Sequence, residues 1–248
     1  MGCEYSVPVA IARDFEYVHP QSPHLLDDSI RPAQLSGQIY HLKMKEKNGL
    51  RTMRDSFGVQ YASSGVPFEA SLSSGGGGCF ARTRMILQNN KNGKPIATLI
   101  QMLSRSSFKI YVFKPSYQGQ VPSKHRSDDG KPLFTWAEVK QESLSMQYIM
   151  KESDDTVYVA DRVGRVHGPK QFKFSRNGKT CASMQLDPGP NMFSRQVWDI
   201  KIAPGIDPCR ILCFIAIVEA LIEQEESSAR AAASCSISAA MVAAASSA

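Results

Sequence analysis

The sequence predicts a mainly β protein, a closed antiparallel barrel of about twelve strands around a central hydrophobic C-terminal helix. Three observations lead to this fold. Hydrophobic and polar residues alternate through much of residues 38–202, and Asn-Gly turns separate the alternating segments. A segment that is apolar on every side then follows, near the C-terminus. A chain of 248 residues, 42% of them hydrophobic, is long enough to build such a core.

Residues 1–35 are predicted to form a flexible arm ahead of the barrel. They carry two basic and five acidic side chains, a net charge of −3. Prolines at positions 8, 20, 23 and 32 suit an extended tether better than a packed element.

The arm opens with "MGCEYS", which fits the pattern for N-terminal acylation. Gly2, with Ser6 at the required spacing, matches the N-myristoylation pattern, and Cys3 offers a thiol for palmitate. One myristoyl chain binds membranes only marginally, with a constant of about 10⁴ M⁻¹, so a second signal is needed for stable anchoring. The alternative is an accidental match at a solvated terminus.

Residues 36–226 are predicted to form the barrel with its helix. In "SFKIYVFK" (107–114) the hydrophobic side chains fall at every second position, and "QFKFSR" and "VWDIKIA" repeat the pattern. This period is typical of strands with one buried and one solvated face. The turns "KNGLR" (47–51), "NNKNGKP" (89–95) and "RNGK" (176–179) favour hairpins. The glycine run "SSGGGGC" (73–79) lacks a following Lys-Ser/Thr and is predicted to be a loop.

The apolar segment "PGIDPCRILCFIAIVEALIEQEE" (204–226) is predicted to be the central helix. Asp207 is a good N-cap, Pro208 suits the first helical position, and the pattern ends at about Glu226. The uninterrupted apolar part, residues 211–218, is too short to cross a bilayer, which needs about twenty residues. A helix that is apolar all round must be enclosed all round. Cys209 and Cys213 are therefore predicted to be core residues, not metal ligands.

Residues 227–248 form an Ala/Ser-rich, low-complexity tail. Its composition favours either a marginal helix or disorder, and it predicts no function.

Charge and cysteine content limit the function. Residues 36–226 carry 26 basic and 18 acidic side chains, a net charge of +8, which favours phosphate-bearing partners. Six cysteines without a Cys-x-x-Cys pair, and no glycosylation sequon, indicate a reducing intracellular setting. The five histidines are scattered, and no nucleophile elbow or metal-ligand spacing occurs. We therefore expect no enzyme activity, no cofactor and no metal.

Two strand segments place basic residues on one face, and these are the candidate lipid-binding residues. Alternate residues on a strand are about 7 Å apart, a spacing that suits the phosphates of lipid headgroups. The alternative is a solubilising exterior. Nucleic acid is a weaker prediction because the aromatic residues alternate inward and leave no stacking platform. The candidates are Lys43, Lys45, Lys47, Arg51, Arg54, Arg82 and Arg84.

The last strand, its "PGIDP" turn and the hydrophobic helix resemble the tubby C-terminal-like superfamily, which includes LURP-one-related proteins and phospholipid scramblases. The hairpins "ILQNNKNGKPIATLIQ" and "FKFSRNGKTCASMQ" are similar to the repeated strand–"GK"–strand units of that superfamily. The resemblance covers residues 36–226 and implies a twelve-stranded barrel closed around the helix. It also implies phosphoinositide binding, as in tubby domains, or calcium-dependent lipid movement, as in scramblases.

We therefore expect a non-enzymatic, membrane-associated module that binds anionic, phosphoinositide-like phospholipid through its basic barrel surface and is anchored by acylation at Gly2 and Cys3. The expected location is the cytoplasmic face of a membrane, with a cytosolic pool. We expect a monomer that contacts membrane lipid and in some settings a protein. A scramblase-like lipid transporter and a protein-binding scaffold are the two alternatives.

Overall fold

The computed structural model describes residues 39–46, 56–75, 83–104, 106–116, 118–142, 147–163, 170–187 and 197–246. They form twelve strands and one helix: β1 (Tyr40–Glu46), β2 (Ser56–Tyr61), β3 (Ala70–Gly75), β4 (Arg84–Asn89), β5 (Pro95–Gln101), β6 (Ser107–Val112), β7 (Phe134–Glu142), β8 (Gln147–Glu152), β9 (Val157–Arg162), β10 (Gln171–Arg176), β11 (Lys179–Asp187), β12 (Val197–Ile202) and α1 (Pro208–Ser246).

The strands form a closed antiparallel barrel. Each strand pairs with its neighbours in sequence, and β1 closes the ring by pairing with β12, so that Leu42 lies opposite Ile200. The predicted fold class is confirmed. A closed ring also leaves no unpaired strand edge, so the backbone hydrogen bonds of the wall are satisfied within the barrel.

The two-residue period of the sequence sorts side chains between the inside and the outside of the wall. Phe172 and Phe174 of β10 and Trp198 of β12 are at most 1% exposed, whereas the residues between them are partly exposed. The predicted turn between β10 and β11 is also present. Asn177 and Gly178 have φ angles of 51° and 77°, the left-handed conformation that Asn-Gly favours in hairpins.

Helix α1 fills the barrel. The backbone N–H of Cys209 donates to Oδ1 of Asp207 at 2.9 Å, which is the predicted N-cap. Every residue from 211 to 218 is at most 1% exposed, and the ring of Phe214 packs edge-on against Phe174 at 5.2 Å. The enclosed part, residues 208–222, is about 22 Å long. A six-residue strand spans about 20 Å, so helix and wall match in length.

We call the end of the barrel where α1 begins the top, and the end where it leaves the bottom. At the bottom, Gln101 Nε2 donates to Gln224 Oε1 at 2.6 Å, and Lys170 Nζ lies 2.5 Å from Glu226 Oε1. Ile222 is the last residue of the helix in the core. Beyond it, polar contacts and not apolar packing join the helix to the barrel.

The predicted end of the helix at about Glu226 is wrong, since α1 continues to Ser246. The physical reason is local. Alanine has the highest helix propensity, and no glycine or proline follows Pro208. A helix therefore persists after its apolar pattern has ended. The loop predicted at the glycine run (73–79) is wrong for its first three residues, because residues 73–75 belong to β3. Residues 76–79 lie outside the described residues.

Candidate functional site

The outer face of β1 and β12 carries a cluster of polar and charged side chains, which we call the β1–β12 strip: His41, Lys43, Lys45, Asp199 and Lys201. In the register of the two strands, His41 lies opposite Lys201 and Lys43 lies opposite Asp199. Directly opposed residues have Cβ atoms about 5 Å apart, and diagonal neighbours are about 7–8 Å apart. The strip is therefore a compact surface on two adjacent strands.

The single carboxylate of the strip is already engaged. His41 Nε2 lies 2.8 Å from Asp199 Oδ2 and 3.0 Å from Oδ1. In contrast, Lys43, Lys45 and Lys201 form no ion pair with any residue in the part of the chain that the structure describes. Three positive charges thus remain available to a partner in solution.

Arg84 occupies a different part of the wall. It lies on the outer face of β4, and β2 and β3 separate it from β1, a distance of about 14 Å at the usual strand spacing. Its Nη1 lies 2.5 Å from Oδ1 of Asp128, which belongs to the connection between β6 and β7. Arg84 is therefore paired and does not extend the β1–β12 strip.

A second charged cluster lies inside the barrel near its top. Arg210 of α1 and Glu152 of β8 are both almost fully buried, and Nε of the arginine lies 2.9 Å from Oε1 of the glutamate. Arg210 Nη1 also donates to the hydroxyl of Tyr158 at 2.8 Å. The guanidinium lies over the ring of Trp136, 5.3 Å from its centroid. This cluster joins the helix to the wall.

Burial governs the ionisation of Glu152. Desolvation raises its pKa to about 7, and the attraction of Arg210 offsets only part of that effect. Asp154 nearby raises the pKa further, whereas Arg176 lowers it. The pKa of Glu152 therefore lies close to neutral pH, whereas Arg210 keeps its charge.

A scan against protein-family models matches residues 41–219 to LURP-one-related proteins. The chain belongs to the LURP-one-related family. This family is part of the tubby-like superfamily, so the predicted resemblance is confirmed. A search of curated proteins finds no match to the chain.

Several predicted site residues of this LURP-one-related chain lie outside the described residues: Gly2, Cys3, Lys47, Arg51, Arg54 and Arg82. By sequence, residues 47–55 connect the end of β1 to the start of β2, so Lys47, Arg51 and Arg54 follow directly after the strip. Of the seven basic candidates, the structure brings Lys43 and Lys45 together.

The acidic turns of the LURP-one-related barrel hold no group of three or more possible metal ligands among the described residues. In "SDDG", hydrogen bonds from Lys131 and Ser127 lower the pKa of Asp129 to about 2. In "ESDD", Glu152 is turned inward to Arg210. Within the described chain, no helix has the length and apolar character needed to cross a membrane.

Sequence reasoning missed the interior pair and the contribution of β12. The signal for the pair was present, because Arg210 stands inside an otherwise apolar helix. A guanidinium in such a helix requires a buried carboxylate partner. The cysteines of the helix behave as predicted, since Cys209 and Cys213 are buried and burial raises the pKa of both thiols.

Proposed function

We propose that this LURP-one-related chain is a non-enzymatic module that binds anionic phospholipid through the β1–β12 strip. The observation that carries the proposal is the group of three lysines without ion-pair partners in the described chain, Lys43, Lys45 and Lys201, on one outer face. Membership of a family related to tubby supports a lipid ligand.

The strip has the size and charge of a headgroup site. Each lysine near an anionic leaflet contributes about 1 kcal/mol, so three contribute roughly 3 kcal/mol. Lys43 lies about 7–8 Å from both Lys45 and Lys201, a spacing that suits a headgroup with more than one phosphate. Phosphoinositide is therefore the preferred class, with phosphatidylserine as the weaker ligand.

Electrostatic attraction of this size gives reversible binding, which a lipid anchor would strengthen. We propose myristate on Gly2 and palmitate on Cys3 as that anchor, at the end of the arm that precedes β1. The protein would then divide between the cytoplasmic face of a membrane and a cytosolic pool.

Vesicle flotation of the unacylated chain tests the headgroup site. Three vesicle types are compared: phosphatidylcholine alone, phosphatidylcholine with phosphatidylserine, and phosphatidylcholine with phosphatidylinositol bisphosphate at the same total charge. The double variant Lys43→Gln/Lys45→Gln is expected to weaken binding to anionic vesicles roughly 30-fold, because two contributions of about 1 kcal/mol are lost.

The matched control is Lys140→Gln/Lys151→Gln, which removes two exposed lysines from β7 and β8 on the other side of the ring. It changes the net charge equally and should leave binding within about twofold, since these lysines are already paired with acids. Equal losses in the two double variants would reduce the interaction to net charge and refute a site on the strip. Absence of flotation with every vesicle type would refute lipid binding by the barrel.

A further inference from the structure

We propose that Ser183 of β11, with Lys201 of β12 and Lys173 of β10, forms a binding position for a phosphate monoester on the outer wall of the barrel. The position lies beside the β1–β12 strip and shares Lys201 with it. The inference rests on the proposed lipid-binding function and adds a second phosphate position to the same surface. The ligand is a dianionic phosphate on a polyol, supplied either by a phosphoinositide headgroup or by a free inositol phosphate.

The register of three adjacent strands places these side chains in one row. Ser183 lies opposite Lys201 on one side and opposite Lys173 on the other. Directly opposed residues have Cβ atoms about 5 Å apart, so the serine stands midway between two lysines that are about 10 Å apart. A lysine has a long and flexible stem, so both ammonium groups can reach an anion that is bound above the serine.

All three polar groups of the row are available to a ligand. In the described part of the chain, Ser183 forms no side-chain hydrogen bond, and Lys173 and Lys201 form no ion pair. Ser183 faces outward, because its neighbours Ala182 and Met184 are buried in the core. It is 7% exposed, as expected for a short side chain between two longer ones. A phosphate oxygen can therefore accept its hydrogen bond while the ammonium groups approach from both sides.

Two carboxylates adjoin the row in the strand register, and both are engaged by other side chains. Asp199 of β12 is diagonal to the serine, but its two oxygens lie 2.8 and 3.0 Å from His41 Nε2, on the side of β1. Asp161 of β9 lies opposite Lys173, and its Oδ1 accepts a hydrogen bond from Gln147 Nε2 at 2.5 Å. Both acids thus have partners outside the row, which leaves the positive charge of the row to an incoming anion.

The arrangement suits a phosphate monoester better than a diester. A monoester carries nearly two negative charges at neutral pH, which two lysines can match, and its oxygens are strong acceptors for a serine hydroxyl. Lys43 of the strip is diagonal to Lys201 on the side away from Ser183. A ring with two phosphates can therefore extend from the strip to Ser183. A phosphoinositide headgroup has this chemistry, whereas the only phosphate of phosphatidylserine is a diester.

Binding to vesicles and to a soluble headgroup tests this position. The vesicles contain phosphatidylcholine with either phosphatidylinositol bisphosphate or phosphatidylserine at the same total charge. The soluble probe is inositol trisphosphate, and titration calorimetry measures its affinity. Ser183→Ala is expected to weaken binding of the bisphosphate vesicles and of inositol trisphosphate about tenfold, because a hydrogen bond to a charged group is lost. Binding to phosphatidylserine vesicles should change by less than about twofold.

A lysine variant and two matched controls complete the series. Lys173→Gln should weaken binding of the same two probes about fivefold, because one positive charge is lost. The controls are Ser73→Ala on β3 and Lys109→Gln on β6, two half-buried residues on other parts of the outer wall. Each control should leave every affinity within about twofold. Circular dichroism and urea midpoints establish that each variant is folded.

The outcomes separate this position from the proposed function. If Ser183→Ala has no more effect than Ser73→Ala, or Lys173→Gln no more than Lys109→Gln, the position is overturned, while vesicle binding by the unaltered chain keeps the lipid-binding function. An equal loss with phosphatidylserine vesicles contradicts a monoester ligand. Binding of inositol trisphosphate without binding to any vesicle supports the position and contradicts the lipid-binding function. Failure of the unaltered chain to bind any probe contradicts both.

Discussion

Arg210 and Glu152 form an ion pair between the central helix and the wall of a closed barrel. Removing two charges from water is costly, and their mutual attraction compensates for this cost only when the remaining polar atoms also find partners. Here the Tyr158 hydroxyl accepts one hydrogen bond from the arginine, and the Trp136 ring lies against it. Oε2 of Glu152, however, is buried without a hydrogen-bond partner among the described residues. The pair therefore joins the helix to β8 without a large net gain in stability.

The raised pKa of Glu152 makes stability depend on pH. Because the folded-state pKa of this acid is raised from 4.5 to about 7, the folded chain holds a proton that the unfolded chain releases between these two values. The contribution of Glu152 is thus fully present below about pH 4.5 and is lost as pH rises to about 7. The loss is on the order of 3 kcal/mol.

Urea unfolding at pH 5, 6, 7 and 8 measures this dependence. We expect the unaltered chain to lose free energy of unfolding as pH rises from 5 to 7, and Glu152→Gln to lose less by up to about 3 kcal/mol over the same range. Other titrating groups are the same in both proteins. Their contribution therefore cancels when the two slopes of unfolding free energy against pH are compared. Parallel pH profiles would contradict a Glu152 pKa that burial raises in the folded chain.

At the scale of elements, α1 consists of two physically different halves. The first half is held by the wall, because residues 211–218 are buried on every side. The second half, beyond Ile222, leaves the core, and Glu223, Glu225 and residues 227–229 are exposed. Tertiary packing stabilises the first half, and the helix propensity of alanine stabilises the second.

This division predicts the effect of removing residues 229–248. The truncated chain keeps the contacts of Gln224 and Glu226 at the bottom of the barrel. We expect its free energy of unfolding to stay within about 1 kcal/mol of the full chain, since no apolar core is lost. Far-ultraviolet circular dichroism at the helix minimum should weaken at the same time. Urea unfolding measures this free energy. A loss of more than about 1 kcal/mol would mean that the second half of α1 packs on the barrel.

The hydrophobic pattern was sufficient to predict the elements, but not their long-range partners. The alternation around Phe172 and Phe174 sets the inner face of a strand, and eight enclosed apolar residues require a wall around them. The helix end was missed because an exposed Ala/Ser segment has no hydrophobic period to mark where it stops.

At the scale of the whole molecule, closure of the barrel determines which charges meet. The period of β1 places Lys43 and Lys45 on one face, and this was predictable. Lys201 joins them only because β1 pairs with β12, and His41 meets Asp199 across 158 residues of sequence. Arg84 is likewise matched with Asp128 across 44 residues. Local spacing contains no information on such pairs, so the strip could be predicted only in part.

The distribution of charge over the molecule bears on how it would be held at a membrane. Three lysines at about 1 kcal/mol each give weak attraction, and one myristoyl chain gives a binding constant of about 10⁴ M⁻¹. Each contact alone dissociates readily. If both proposals hold, the acyl anchor and the strip would act together, because the anchor would keep the barrel at high local concentration near the membrane.

Acylation at the N-terminus is therefore expected to control the membrane-bound fraction in cells. Gly2→Ala should prevent myristoylation and move most of the protein to the soluble fraction, and Cys3→Ser should leave a pool that high salt releases, since salt screens the lysines of the strip. Cys235→Ser, in the Ala/Ser-rich tail, is the control and should leave the distribution unchanged. Mass spectrometry of the N-terminal peptide reads the modification directly. An unmodified Gly2 in the membrane fraction would show that the barrel binds without a lipid anchor.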